Sequence, residues 1–286
     1  MIYIRSVGGL GNQLFIFSFA HEICDRYLSD VTILTDWHDH VEDRPFEIFD
    51  LITKCRHNIF MGKSKKITKT LDLFSKVNFK TRRKFEPILN VIGIREQRYP
   101  FELYVYSKRL PRFISGYFQN FSNFRNENHA FQEISDYAEE ILKNMDPVKK
   151  TPHPHQIMHV RRGDYKNIKN SFGLLAEEYY MQLVDSNLPH IILAEDSDIS
   201  KVFTKLCENS RILDSSNYSS WESISLMSQC DNLVAANSTF SWWGALLASM
   251  KGAEVILPKP WTRGNFHDYE GLYFDSAKAS TAIFEQ

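Results

Sequence analysis

Apolar positions change their period within the first thirty residues of the chain. Residues 2–7 alternate as in a strand, Gly8-Gly9-Leu10-Gly11-Asn12-Gln13 breaks the alternation, and Ile16, Ala20, Ile23, Cys24 and Tyr27 recur at helical spacing. Val31 to Thr35 follows as a second strand, so the opening predicts a βαβ unit of a parallel sheet. Phe113 to Asn120 reads as a strand ending in polar residues, and Asn128 to Lys143 as a helix. Pro147, Pro152 and Pro154 then interrupt both patterns and mark the expected domain boundary, giving lobes at 1–150 and 151–286.

The second half alternates regularly. Strands are expected at Gln156 to Val160, His190 to Ala194, Arg211 to Leu213, Asn232 to Ala235 and Glu254 to Leu257. Helices are expected at Ala176 to Asp185, Asp198 to Cys207, Ser220 to Cys230 (capped by Ser219 or Ser220) and Phe240 to Met250. The pattern predicts a doubly wound α/β lobe. Such sheets bind ligands beyond the carboxyl ends of their strands, and the loops Arg161 to Tyr165, Glu195 to Asp198 and Asn237 to Ser241 all fall there. One stretch differs: Lys54 to Lys84 carries eleven Lys or Arg against the single acid Asp72, interleaved with apolar residues. It reads as a basic amphipathic helix within an insertion at about 54–110, either a solvated face or a contact with anionic membrane or a phosphate-linked acceptor.

Composition narrows the classes. A chain of 286 residues with 43% hydrophobic residues supports two domains with real cores, and a net charge of −1 gives no reason to expect nucleic acid as a partner. Cys24, Cys55, Cys207 and Cys230 lack disulfide or CxxC spacing, and Met1-Ile2-Tyr3-Ile4-Arg5 reads as a strand rather than a signal peptide. No apolar run is long enough to span a bilayer. The expectation is a cytoplasmic protein, with peripheral contact at the inner face of the membrane through 54–84. The triplets at Asn120, Asn217 and Asn237 are then ordinary polar sequence rather than glycosylation sites.

Chemistry concentrates in His159-Val160-Arg161-Arg162-Gly163-Asp164-Tyr165. Neighbouring side chains on an extended chain point opposite ways, so one arginine is expected to face ligand and the other to brace. A guanidinium binds phosphate oxygens in pairs, which suits a pyrophosphate leaving group. Asp164 is a candidate to orient the arginines, accept from a ligand hydroxyl or take a proton. A second anion site is predicted where a strand turns into a helix at Asn237-Ser238-Thr239-Phe240-Ser241, while Trp242 and Trp243 read as core. The glycine loop fails as a dinucleotide fingerprint because Leu14 stands where a third glycine is needed. Gly9 and Gly11 are expected to let backbone approach a ligand, with Asn12 and Gln13 supplying the uncharged hydrogen bonds that sugars need. The alternating Asp36-Trp37-His38-Asp39-His40 is a weak metal candidate, and no metal site is expected.

Four segments, GGLGNQLF at 8–15, SGYFQN at 115–120, HVRRGDY at 159–165 and NSTFSWWGA at 237–245, occur in the order in which similar motifs occur in the α-1,2-fucosyltransferases of glycosyltransferase family 11. The chain resembles especially the bacterial members that build O-antigen or other surface glycans. The resemblance implies a GT-B-like fold of two Rossmann-like α/β lobes with an interdomain cleft. It implies GDP-β-L-fucose as donor and the 2-hydroxyl of a galactose, in free or lipid-linked glycan, as acceptor, with inversion and without a divalent metal or other cofactor. Carried onto this chain, Arg161 holds the donor β-phosphate, His159 lies near the nucleotide with Arg162, and Asn237, Ser238, Thr239 and Ser241 meet the phosphates. Similar enzymes carry paired acids near guanine after the strand that here ends at Ala194. In this chain the pair is interrupted at Asp196-Ser197, and Asp198 is the alternative contact. The general base stays open between Asp164 and a dissociative path in which Asn12 only positions the acceptor. A fucosyltransferase of other linkage, and a nucleotide-sugar or glycan-binding protein without turnover, are the competing readings.

Overall fold

The computed structural model describes residues 1–64, 89, 91, 93–97, 101–106, 108–124, 129–151, 153, 155–195, 199–208, 210–264 and 270–285. They divide into two compact units, Met1–Ile134 and Ser135–Gln286.

The first unit is built on five parallel strands in the order β3-β2-β1-β5-β4, where β1 is Ile2–Arg5, β2 Val31–Leu34, β3 Ile59–Gly62, β4 Ile94–Glu96 and β5 Phe113–Ser115. Ile2, Ile4, Val31 and Ile33 are all buried, as the central strands of a parallel sheet covered on both faces must be. Helix α1 (Leu10–Tyr27) starts at Gly9 and ends where Leu28 turns left-handed. It is apolar nearly all round, and Leu10, Gly11 and every residue from Gln13 to Cys24 are buried. Much of that burial comes from late in the unit: Phe19 stacks on Phe118 at 3.8 Å and Phe15 on Phe124 at 6.1 Å. Helix α2 (Phe49–Lys54) is short.

Three expectations change here. The basic stretch, which opens on the last residue of α2, runs into strand β3 where a helix was expected, because Ile59, Phe60 and Met61 pair in register with Val31, Thr32 and Ile33; residues 65–84 lie outside the described residues. Strand β4 lies inside the segment expected to be a helical insertion. The strand expected to reach Asn120 stops at Ser115, and Phe118 takes a left-handed backbone (φ 54°) in the loop that follows.

Helix α3 (His129–Asn144) spans the division. The second unit carries six parallel strands in the order β11-β10-β9-β6-β7-β8, with β6 at Gln156–Val160, β7 at His190–Ala194, β8 at Ser210–Asp214, β9 at Asn232–Val234, β10 at Glu254–Lys259 and β11 at Ala277–Thr281. The chain winds outward from β6 through β7 to β8, then returns to β9 on the other side of β6. The gap between β6 and β9 is therefore the topological switch point, where ligands bind.

Helix α4 (Glu177–Met181) stops short of its expected end because Asp185 caps a turn, its carboxylate accepting from the Asn187 N–H at 2.9 Å. The helix expected over 198–207 is two pieces, α5 (Ile199–Val202) and α6 (Thr204–Glu208). Helix α7 (Ser220–Met227) starts with a reciprocal capping box between Ser219 and Glu222. Helix α8 (Thr239–Met250) packs so closely on α7 that a Cβ at Gly244 would lie 2.8 Å from the Met227 Cβ. Trp242 and Trp243 are fully buried, and the Trp242 Nε1–H donates to the Leu272 carbonyl at 2.6 Å. The four cysteines are free thiols. Among the described residues, no helix is long and apolar enough to cross a membrane.

Candidate functional site

At the switch point of the second unit, β6 delivers His159, Arg161 and Arg162 side by side, and they separate by environment. Arg162 is 7% exposed and turns away to Glu285, which takes hydrogen bonds from both of its terminal nitrogens; its guanidinium also lies 5.4 Å from the Phe203 ring. Arg161 takes the other direction. Its Nη2 donates to Asp164 at 2.8 Å, its Nη1 pairs with Glu195, and its buried Nε has no hydrogen-bond partner among the described residues. One arginine braces and its neighbour presents a buried N–H.

Register explains why Glu195 is there. Val160 pairs with Ala194 across β6 and β7, so the residues that follow each strand leave the sheet side by side. Gly163 makes room: a Cβ on it would sit 2.7 Å from a Glu195 carboxylate oxygen. Asp164 opens a short 3₁₀ turn, and Tyr165 at its second position donates to the Asn237 carbonyl at 3.0 Å, tying this loop to the one after β9.

His159 is 1% exposed, its ring 5.6 Å from that of Phe240, and its Nδ1 has no hydrogen-bond partner among the described residues. Burial, reinforced by the charge of Arg161, pushes its pKa down to about 3. The ring is therefore uncharged near neutral pH. Behind it, the Tyr180 hydroxyl donates to the His159 carbonyl at 3.1 Å.

The loop after β9 is held from within. The Asn237 amide donates to the carbonyls of Phe172 and Gly173 at 3.0 and 3.2 Å, and the buried Ser241 hydroxyl accepts from the Ala236 N–H at 2.9 Å. Ser238 caps α8 by accepting from the Phe240 N–H. Of the residues expected to meet phosphate, Asn237 and Ser241 are thus engaged in shaping the turn, while Ser238 and Thr239 stand at the positive end of a twelve-residue helix. Asp196 and Asp198 lie outside the described residues.

The first unit has a loop of the same kind after β1. Gly8 adopts φ +82°, and a Cβ there would collide with Asn12. Asn12 Oδ1 accepts from the Gln119 amide at 2.8 Å, which joins this loop to the one after β5. Gln13 is fully buried; it donates to the carbonyls of Gly8 and Pro45 and accepts from the Glu47 N–H, so it stitches loops together instead of facing solvent. Gly9 is half-buried and Gly11 buried inside the first turn of α1. Beyond the ends of β2 and β3 lies a pocket of about 680 Å³ lined by Thr35, His38, Phe46, Phe49, Met61 and Lys63. In it, burial lowers the pKa of His38; its Nδ1–H donates to the Arg44 carbonyl, so Nε2 accepts from the Ser6 hydroxyl at 2.9 Å. His38 and Asp39 therefore belong to this hydrogen-bonded pocket wall, where Asp39 pairs with Lys63.

The structure thus joins the loops of Arg161, Glu195 and Asn237 at one place and those of Asn12 and Gln119 at another. Glu195 as the partner of Arg161, Gln119 as the partner of Asn12 and Glu285 as the brace of Arg162 were not expected from the sequence.

The profile of Glycosyl transferase family 11 matches residues 94–275. The Escherichia coli O-antigen biosynthesis glycosyltransferase WbnK is 31% identical over 119 residues, which cover 38% of this chain and only 39% of that protein. An alpha-1,2-colitosyltransferase of Escherichia coli is 25% identical over 287 residues, covering 91% of this chain and 92% of the relative. Among solved structures, the Escherichia coli ADP-heptose lipopolysaccharide heptosyltransferase II superposes with a TM-score of 0.50 at 13% identity, over 98% of this chain and 90% of that one, which shows a shared GT-B-type fold. The fucosyltransferase NodZ from Bradyrhizobium gives 0.49 at 11% identity over 86% and 92%. With the family profile covering most of the chain, and two parallel α/β sheets carrying its loops, the protein belongs to glycosyltransferase family 11 and is a glycosyltransferase.

Proposed function

We propose that the protein transfers L-fucose from GDP-β-L-fucose to the 2-hydroxyl of a terminal galactose in a bacterial surface glycan, with inversion. The observation that carries this reading is Arg161: a charged fork at the switch point, aligned by Asp164 and Glu195, with a buried Nε–H that no described group accepts from. In the reaction the bond between fucose carbon 1 and the β-phosphate oxygen breaks, and a bond from carbon 1 to the acceptor oxygen forms on the opposite face. GDP departs with the electron pair, and Arg161 together with the α8 N-terminus neutralises it. The acceptor hydroxyl releases its proton late, as the carbon centre becomes oxocarbenium-like. Asp164, 44% exposed beside Arg161, is the carboxylate suited to receive it. Asn12, held by Gln119, positions the acceptor. Arg161 supplies the charge that a divalent ion would otherwise provide, so added Mg²⁺ or Mn²⁺ leaves the rate unchanged.

A second donor follows from the relative that matches almost the whole chain and is named an alpha-1,2-colitosyltransferase. Colitose is fucose without its 3-hydroxyl, so GDP-colitose offers the same diphosphate to the same arginine.

The test is GDP release from GDP-fucose and from GDP-colitose, with lactose and N-acetyllactosamine as acceptors, followed by linkage analysis of the product. Fucosyl transfer forming an α-1,2 linkage is expected. Arg161→Ala should lower kcat/KM by about 10²–10³-fold, the usual loss when one such donor group is removed, while its melting curve stays near wild type. Retained activity in Arg161→Ala overturns the role of Arg161, and donor binding without turnover overturns the enzyme.

A further inference from the structure

The first unit contains a second polar cluster far from the glycine loop. Helix α1 runs back from that loop, and His21 lies eleven residues beyond Leu10, about 16 Å along the axis. His21, His57 in the turn before β3, and Glu133 on α3 bring one ligating atom each within 4.8 Å of one another. These side chains come from three separate segments, and His21 is 1% exposed.

Their hydrogen bonds leave one buried ligand atom on each residue unpaired among the described residues. The Asp25 carboxylate accepts from His57 Nε2 at 2.7 Å, which fixes the proton on Nε2 and leaves the lone pair on Nδ1. That Nδ1 is buried without a partner among the described residues. Glu133 Oε1 accepts from the Arg56 N–H at 3.1 Å, while Oε2 is likewise buried and unpartnered. Both ring nitrogens of His21 are in the same condition; its Nε2 is 3.4 Å from Glu133 Oε2, yet the two do not align as a hydrogen bond. Buried polar atoms almost always find partners, and three orphaned atoms, one on each residue and within 4.8 Å of one another, point to a shared ligand.

We propose that His21, His57 and Glu133 bind a structural Zn²⁺ ion, with Asp25 orienting His57 from behind. Two imidazoles and a carboxylate form a borderline nitrogen and oxygen set that suits Zn²⁺ better than Mg²⁺ or Ca²⁺. Bonds of about 2.0–2.2 Å in a tetrahedron hold ligand atoms roughly 3.3 Å apart, so the widest of these separations closes by at most about 1.5 Å. The fourth position is filled from solvent, reached along the part-exposed sides of His57 and Glu133. The Asp25–His57 contact reproduces the carboxylate-histidine pairing that tunes metal sites. The other grouping of this type, His153, His155 and Asp231, is different: Asp231 Oδ2 already accepts both from the His155 N–H and from the His153 ring. The ion takes no part in glycosyl transfer; it ties α1, the β3 turn and α3 together.

Tag-free protein stripped with chelator and titrated with Zn²⁺ alone tests the assignment. One equivalent per chain is expected, with the melting temperature rising by about 5 °C or more at a hundredfold excess over Kd. Co²⁺ in place of Zn²⁺ should give visible bands that Zn²⁺ then bleaches. Glu133→Gln should abolish stoichiometric binding, and Asp25→Asn, which leaves the ligands in place, should weaken it about 10–100-fold. Absence of binding and of any thermal shift in the wild type overturns the proposal. So does equal binding by Glu133→Gln, or loss of the ion in His153→Asn instead.

Discussion

The division of labour between adjacent arginines makes a quantitative claim about stability. Arg162 is buried and Glu285 is 28% exposed, so the two ends of this ion pair respond differently to loss of the partner. Glu285→Ala leaves a guanidinium in the interior without that carboxylate. Breaking a buried pair in this way costs about 3–5 kcal/mol, and the water reaching Glu285 reduces the figure to about 2–3 kcal/mol. Arg162→Met removes the charge but keeps a stem against Phe203, while Glu285 turns to solvent, for a cost of about 1 kcal/mol or less. The double variant should then lie within about 1 kcal/mol of wild type and be more stable than Glu285→Ala. Urea unfolding followed by tryptophan fluorescence reads the right part of the molecule, because Trp221, Trp242, Trp243 and Trp261 all lie in the second unit and only Trp37 in the first. A Glu285→Ala cost below about 0.5 kcal/mol, or a double variant no more stable than Glu285→Ala, refutes the reasoning.

Three further outcomes are expected. His159 has a folded pKa of about 3 against an ordinary 6.5, so the unfolded chain takes up the proton first as pH falls. Its contribution is intact above pH 6.5 and is lost toward pH 3 at about 1.4 kcal/mol per unit, and urea midpoints between pH 4 and 7 should show a shallower dependence in His159→Gln. Gly244→Ala drives a methyl into Met227 and should cost about 1–3 kcal/mol, read as a lower melting temperature with unchanged donor KM. Gln119→Ala removes one neutral hydrogen bond to Asn12, worth about 1 kcal/mol, and should lower kcat/KM about fivefold without moving the KM for donor; an unchanged kcat/KM removes Asn12 from acceptor positioning.

The alternation of periods made β1, α1, β2 and most of the second sheet legible, because those elements are apolar and central. Strands β4 and β11 were not, being short edge strands whose residues, such as Ala277 to Thr281, carry little apolar signal. In the basic stretch only 59–62 can be compared with the expectation, and there three apolar residues that pair with β2 outweigh the charge spacing. Convergence of the Arg161 and Asn237 loops was readable because both follow the carboxyl ends of strands in one parallel sheet. The Glu195 contact required the register of β6 on β7, and Glu285, 123 positions beyond Arg162, left no local trace. Gln13 looked like a ligand-facing amide; besides the Gly8 carbonyl, its partners lie in the 45–47 loop, which nothing near the glycines announces.

Helix α1 also governs how the chain behaves while it is being made. Phe19 emerges early, but the ring it stacks on, Phe118, follows about a hundred positions later, and Phe15 waits longer still for Phe124. At about 5–20 residues per second, the ribosome leaves this apolar helix without its cover for roughly 5–20 seconds. Throughout that interval the segment from Leu14 to Ala20 is a ready substrate for chaperones, and expression at low temperature or with added holdase should favour the folded yield of this protein.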